Sequence, residues 1–359
     1  MRFLTFFLGI FLAAAGPVRG QDLSLPPLKE PNLLMRYNDT LRVTVIGDVM
    51  MHERQLRHDM RPFLQYLKPL LSRADLALAN MEFSLGGAPY TGYPAFSAPD
   101  DYPDYVAGCG VNVFLLANNH LLDRGRKGLV RTLEQYALRR DKAAYTGASR
   151  DSAEDRAVNP LIIRRGGLKL AFINAAYGSN NPSGQEALRR LDDRGLEELF
   201  ARARAEKPDF IIALPHWGTE YTLRHNAAQE RTARRMVELG ADVIVGAHPH
   251  VVQDTSHIRG VPVIYSVGNA VSNMSAPNTR LELAVTLRFV CNTFTGSREM
   301  LKPELHFLWC TLPGKLTPSY ATVPVQEWAD RRSDWLDSSD YDNMMATLRR
   351  VKTLTGIEP

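Results

Sequence analysis

The chain predicts an α/β fold, and three features of the sequence carry that prediction. Short apolar runs of strand length alternate with longer stretches whose apolar residues recur at helical spacing. Many of those short runs stop abruptly at Gly, Asn, Asp or His. Late in the chain two longer strand-like runs, Leu281 to Val290 and Glu304 to Thr311, follow one another with no helix between them. No internal repeat, low-complexity segment or boundary between independent domains breaks the pattern.

The N-terminus sets the compartment. Arg2 precedes an apolar run from Phe3 to Ala15, then a small-residue turn, Gly16-Pro17-Val18-Arg19-Gly20. That is the order of a secretory signal peptide over residues 1–20. The run is short for a permanent span, which leaves an uncleaved anchor as the alternative. No cysteine follows it to carry a lipid. Residues 21–40, with Pro26-Pro27 and Pro31, read as a linker. The expectation is an exported protein, periplasmic or extracellular, with one domain over residues 41–325 and a helical tail over 326–359 packed on it.

Within the domain the first strand is Arg42 to Ile46, ending in Gly47-Asp48. A helix is expected from about Glu53, with Leu56, Met60, Leu64, Leu67 and Leu71 as its apolar stripe. Strand Leu76 to Ala79 ends in Asn80-Met81-Glu82. The Gly-, Pro- and Tyr-rich stretch from Gly86 to Tyr105 predicts a long surface loop, suited to the rim of a site. Strand Val111 to Ala117 ends in Asn118-Asn119-His120, and helix Lys127 to Arg139 follows. Strand Leu168 to Ile173 ends in Asn174, and helix Arg194 to Ala205 comes next. Strand Phe210 to Leu214 ends in Pro215-His216, and helix Ala227 to Leu239 stops at Gly240. Strand Val243 to Val245 runs into Gly246-Ala247-His248-Pro249-His250, and strand Val261 to Val267 into Gly268-Asn269. A last helix is expected over Tyr341 to Thr353.

Composition excludes several classes. With 45% hydrophobic and 23% charged residues the chain has an ordinary globular core, and its net charge of +4 comes without the dense Lys/Arg block that nucleic acid would require. The cysteines Cys109, Cys291 and Cys310 lack metal-binding spacing. Cys291 and Cys310 sit on two strands that could form a hairpin, so one disulfide stays open, whereas Cys109 reads as a buried or free thiol.

The chemistry is concentrated at the strand ends. Asp48, Glu82, Asn119, His120, His216, His248 and His250 offer carboxylate, amide oxygen and imidazole, a mixture that suits Mn, Fe or Zn and lacks the thiolates of a structural zinc site. Each has an ordinary reading by itself: Asp48 as a helix cap, Glu82 as a solvated loop residue, Asn118-Asn119 as turn formers, His216 as a core histidine. His52, His58, His225, His257 and His306 are assigned to that ordinary class. The coincidence of ligand types at successive strand ends is better explained by a metal site, since open α/β sheets collect their ligands on one edge.

The ordered stretches Gly47-Asp48-Val49-Met50, Asn80-Met81-Glu82, Asn118-Asn119-His120 with Asp123, His216-Trp217-Gly218-Thr219-Glu220-Tyr221, Gly246-Ala247-His248-Pro249-His250 and Tyr265-Ser266-Val267-Gly268-Asn269 resemble the CapA, or poly-γ-glutamate capsule-synthesis, proteins. The resemblance implies a four-layer αββα sandwich of two mixed sheets flanked by helices, similar to the calcineurin-like metallophosphoesterases. It implies two divalent transition metals, one on Asp48 and His250, the other on Asn119, His216 and His248, with Glu82 bridging. His120 would stabilise the transition state or protonate the leaving oxygen. Asn80, Asp123, Glu220, Tyr221 and Asn269 would line or support the site. This chain departs from the pattern at Leu121-Leu122, at Ala270 after Asn269 and at Arg224-His225-Asn226, and it has Met50 where the phosphatases carry a further histidine.

The implied function is synthesis of capsule or another cell-surface polymer by metal-dependent hydrolysis or transfer at a phosphoester or a polyglutamyl amide. The substrate would be an anionic polymer or phosphoester, and the setting a capsule-synthesis membrane complex. Two alternatives share the site: a non-catalytic polymer-binding or export component, and a periplasmic phosphoesterase for nucleotides or lipid headgroups.

Overall fold

The computed structural model describes residues 38–358. The stretches read as signal peptide and, up to residue 37, as linker lie outside the described residues. Strand β1 (Asn38–Val49) begins inside the stretch read as linker. After it come β2 (Leu76–Met81), β3 (Val113–Leu115), β4 (Ala144–Thr146), β5 (Leu161–Arg165), β6 (Leu168–Ala176), β7 (Phe210–His216) and β8 (Val243–Val245). The remaining strands are β9 (Thr255–Ile258), β10 (Val261–Ile264), β11 (Asn269–Val271), β12 (Leu281–Asn292), β13 (Arg298–Met300), β14 (Glu304–Thr311) and β15 (Ala321–Pro324). The helices are α1 (Lys68–Arg73), α2 (Tyr102–Gly108), α3 (Gly125–Ala137), α4 (Ser152–Val158), α5 (Asp193–Ala205), α6 (Ala227–Leu239), α7 (Val325–Trp328) and α8 (Ser338–Thr355).

Two mixed sheets form. One runs β15-β14-β12-β1-β2-β3-β4, with β11 added beside β1 and β13 beside β12, and the other runs β5-β6-β7-β8-β10-β9. The period of two in each strand decides which side chains fill which layer. Val43 and Val45 of β1, Leu76 and Leu78 of β2 and Val113 of β3 share one apolar cluster with Leu170 and Phe172 of β6, Ile212 of β7 and Val243 of β8. That cluster is the interior between the sheets. Ala77, Ala79 and Phe114 point the other way and meet Leu71, Leu129, Leu133 and Tyr136. Behind the second sheet, Ile173, Ile211, Ala213 and Ile244 meet Leu196, Leu199 and Phe200 of α5 and Ala233 and Met236 of α6. The expected αββα sandwich is therefore present, each layer stabilised by apolar side chains worth about 1.5–3 kcal/mol apiece when fully buried. The tail closes on the same core: Met344 and Val351 of α8 join the inter-sheet cluster, and Asp340 receives Arg280 at 2.5 Å and the Trp309 indole N–H at 3.2 Å. Among the described residues no helix is long and apolar enough to cross a membrane.

Several expectations need correction. The helix expected from Glu53 is instead short 3-10 turns at Gln55–Arg57 and Gln65–Leu67, followed by the brief α1. Pro62 and Pro69 explain the break, because each lacks an N–H and disfavours helical backbone in the residue before it. The apolar stripe is still used: Leu64, Leu67 and Leu71 are buried, and Leu56 and Met60 pack against the same cluster. The stretch from Gly86 to Tyr105 is not simply a surface loop, since Phe96, Ala98 and Tyr102 are fully buried and α2 begins within it. The Cys291–Cys310 disulfide is ruled out by register. Trp309 lies opposite Leu281, so Cys310 sits at the far end of β12 from Cys291, roughly 30 Å away at a strand's rise per residue. All three thiols are free and buried.

Candidate metal centre

Parallel pairing of β1-β2-β3 in one sheet and β6-β7-β8 in the other brings their C-terminal ends to one edge of the sandwich. Asp48 lies in register with Asn80 on one side and Asn269 on the other. The β1-β2 register slips between Ile46 and Asp48, a bulge that re-aims the aspartate. Gly47 permits it: a Cβ there would lie 1.9 Å from the Gly268 carbonyl oxygen, to which Asp48 N–H donates at 3.1 Å. From the second sheet, His216 ends β7 and pairs with Ala247 across an isolated bridge. His248 and His250, on either side of Pro249, have φ of 101° and 57°. Left-handed backbone at two such residues costs of order 1–3 kcal/mol each, and it turns both imidazoles toward the carboxylates.

The groups converge closely. Asp48, Glu82 and His250 each offer a ligand atom within 4.8 Å of the others, and so do Glu82, His216 and His248. Glu82 is common to both triads. His216 Nε2 is 3.6 Å from Glu82 Oε1 and 2.7 Å from Asn119 Oδ1. His250 Nδ1 is 3.3 Å from Asp48 Oδ2 and 2.9 Å from Asn269 Oδ1. Asn80 acts as a strut: its amide donates to Asp48 Oδ1 at 2.7 Å and lies 3.2 Å from His216 Nδ1. Asn118 steadies Asn80 in turn, donating to its Oδ1 at 3.2 Å and to the Met81 carbonyl at 2.9 Å.

His120 belongs to neither triad. Its Nδ1 meets Asp123 Oδ2 at 2.7 Å, and the same oxygen accepts the Phe96 backbone N–H at 2.9 Å. The Phe96 ring stands edge-on to the imidazole at 4.7 Å and the exposed Tyr93 ring at 6.3 Å. Asp123 therefore fixes the ring through one nitrogen and leaves the other free for chemistry.

Electrostatics separate the two carboxylates. Burial would raise Asp48, but the His250 hydrogen bond and the nearby His216 and His250 charges outweigh it and hold the carboxyl at about 2. Glu82 is pushed well above its ordinary value by burial and then by the Asp48 charge. Burial and neighbouring imidazoles drive His216 well below the usual histidine range and His248 down to about 3. Burial opposes protonation of His250 too, yet its bonds to Asp48 and Asn269 raise it.

Those shifts describe a metal-free cluster, and the cluster has an uncompensated element. Both Glu82 oxygens and His248 Nδ1 are buried with no hydrogen-bond partner. A buried carboxyl left unpaired costs several kcal/mol, whereas a divalent cation satisfies it. The donor set of carboxylates, amide oxygen and imidazoles fits divalent cation binding, and Glu82 is common to two of the candidate triads.

All the site residues expected from the sequence thus gather at one edge. Asp48, Glu82, His216, His248 and His250 make up candidate metal-binding triads, and Asn119 contacts His216. Asn80 and Asn269 hydrogen-bond to Asp48 and His250, Asp123 holds His120, and Glu220 and Tyr221 lie beside His248 and His250. His52, assigned to the ordinary core class, borders the site: its ring stands edge-on to Phe96 at 5.2 Å, and burial with the nearby His250 and His120 lowers it to about 4. Tyr177, which the sequence reading does not single out, has its ring 4.8 Å from that of His248. Its place directly after β6 was the available signal.

The family model of bacterial capsule synthesis protein PGA_cap matches residues 42–274. The capsule biosynthesis protein CapA of Bacillus anthracis is 28% identical over 263 residues, which cover 68% of this chain and 63% of that protein. The chain therefore spans slightly less than two thirds of that relative's length. The PGA biosynthesis protein CapA of Bacillus subtilis (strain 168) is 25% identical over 300 residues, 77% of this chain and 74% of that protein. Among solved structures, a phosphatase from Mycoplasma pneumoniae is similar with a TM-score of 0.46 and 13% identity, over 75% of this chain and 93% of its own.

Proposed function

This chain belongs to the bacterial capsule synthesis protein PGA_cap family, and on that premise we propose that it is an exported, metal-dependent hydrolase or transferase acting in synthesis of a poly-γ-glutamate-like surface polymer. The bond acted on is a phosphoester or a polyglutamyl amide. The observation that carries the reading is Glu82, a buried carboxylate with no hydrogen-bond partner, shared by two ligand triads.

In this reading Asp48, His250 and Glu82 hold one cation, and Asn119, His216, His248 and Glu82 hold the other. Bound divalent cations supply Lewis-acid polarisation of the scissile group and activation of water. The remaining work belongs to the chain. His120, held by Asp123, moves a proton at the leaving atom through its free nitrogen. Phe96 and Tyr93 shield that imidazole from bulk water on the rim side. Asn80 and Asn269 keep the ligands of the two sheets in position. Export rests on the N-terminal sequence, Arg2 followed by the apolar run to Ala15.

The test is elemental analysis of the mature chain, residues 21–359, beside the His248→Ala/His250→Ala double variant. About two transition-metal equivalents per chain, lost in the variant, support the centre and justify assays on phosphoesters and on polyglutamate. Absence of bound metal after supply of Mn or Zn overturns the enzymatic reading in favour of a non-catalytic polymer-binding component.

A further inference from the structure

The two triads are unequal. The His216 and His248 side is completed by Asn119, whose Oδ1 lies 2.7 Å from His216 Nε2. The Asp48 and His250 side has no such addition from its own strand, because Met50 is buried in the apolar cluster behind the sheet. A third group of ligand atoms lies at the same edge. A Glu220 carboxylate oxygen and nitrogens of His248 and His250 all lie within 4.8 Å of one another.

Glu220 is brought there by backbone. The loop after β7 is tied to the histidine loop at both ends: Trp217 N–H donates to the Ala247 carbonyl at 3.0 Å, and Tyr221 N–H donates to the Pro249 carbonyl at 2.9 Å. Tyr221 adopts a φ of 63° and Gly218 a φ of 104°, so the segment is a fixed turn. Among the described residues no Lys or Arg lies within ion-pair distance of the Glu220 carboxylate. The atoms it faces include the buried His248, whose Nδ1 has no hydrogen-bond partner.

We infer that Glu220 is a third carboxylate ligand, supplied from the loop after β7, for the cation held by Asp48, Glu82 and His250. The inference rests on the metal-centre reading and assigns Glu220 a coordinating role instead of a merely pocket-lining one. It makes that position richer in oxygen than the His216 position, so the first position prefers Mn²⁺ and the second accepts Zn²⁺ readily.

The test is Mn²⁺ binding by the mature chain and its Glu220→Gln variant, read by equilibrium dialysis and electron paramagnetic resonance. The wild-type chain is expected to bind two ions, on the order of the metal–metal separation that gives an exchange-coupled signal. Glu220→Gln keeps shape but loses the charge. It should weaken the first position by about ten- to a hundredfold or more and give the signal of an isolated ion. Glu220→Asp, which restores a carboxylate, should recover part of the affinity. Equal thermal melting of the chelator-treated wild type and variant shows that folding is intact. Two ions bound with unchanged affinity and coupling in Glu220→Gln overturn this inference alone. No Mn²⁺ bound by the wild type overturns both it and the metal-centre reading.

Discussion

Replacing Glu82 with Gln in the metal-free protein should change how stability depends on pH. Burial and the Asp48 charge raise the Glu82 carboxyl well above its ordinary value of 4.5. Above that ordinary value the unfolded chain has released the proton and the folded chain still holds it. The folded state then binds more protons, so the contribution of Glu82 is full below 4.5 and declines as pH rises toward the folded value. The decline is about 1.4 kcal/mol for each pH unit over which the folded carboxyl stays protonated. His216 and His248 act in the opposite sense, because their folded values are lowered: their contribution is present above the ordinary histidine value of 6.5 and is lost as pH falls. Glutamine cannot titrate, and the imidazoles are common to both proteins, so the wild-type minus variant difference isolates Glu82. Urea unfolding in chelator at a series of pH values rising from about 4.5 should show Glu82→Gln gaining on wild type as pH increases, until the folded Glu82 carboxyl ionises. Added Mn²⁺ should reverse the ranking, since a ligand at a hundred times its Kd adds about 2.7 kcal/mol to whichever protein binds it. A difference that stays flat with pH would refute the reasoning, because Glu82 would then be ionised in the folded chain.

Three further outcomes follow from the geometry. His120→Ala should keep its metal and lose about 10²- to 10⁴-fold in kcat on any substrate found, with Asp123→Asn intermediate; metal analysis beside steady-state kinetics checks it. Gly47→Ala places a Cβ against the Gly268 carbonyl, so it should lose about 1–3 kcal/mol of stability and weaken metal binding at Asp48, measured by denaturation and dialysis. Thiol titration of the denatured, unreduced protein should find Cys109, Cys291 and Cys310 all reactive, whereas a disulfide between the two strand cysteines would leave one.

Much of the site was legible because its ligands follow directly on strands, where pattern and chemistry coincide. His216 after an apolar run and His248-Pro249-His250 after another could be placed without knowing which sheet held either. What pattern could not supply was the pairing between sheets. The bulge at Gly47 depends on a carbonyl more than two hundred residues away in sequence, at Gly268. His52 reads as an isolated histidine because its proximity to the site passes through Phe96, in a stretch read only as loop. The helix expected from Glu53 failed for a local reason that was visible: Pro62 and Pro69 stand inside the stripe, and the tertiary core accepts the same leucines from 3-10 turns. Short strands such as β9 and β11 carry too few residues to show a period at all.

The strongest argument for an occupied centre is where the unfavourable terms fall. His248 and His250 take left-handed backbone, Glu82 leaves two buried oxygens unpaired, and His248 leaves a nitrogen unpaired, all at one edge of the sandwich. The polar residues immediately around them are satisfied: Asn80, Asn118, Asp123 and Asn269 each have defined partners. A cluster serving only to join the sheets would gain by pairing Glu82 or by replacing it with an apolar group, since a buried carboxyl without a partner destabilises the fold. Divalent cations held by these triads would satisfy the Glu82 oxygens and offset the charge of the two buried carboxylates, using the His216 and His248 imidazoles already held neutral by burial. Glu282 of β12 is also a buried carboxyl without a hydrogen-bond partner, so an orphaned carboxyl alone is not diagnostic. At Glu82 it coincides with an unpaired imidazole nitrogen and two ligand triads, the charge and donor set that divalent cations would satisfy.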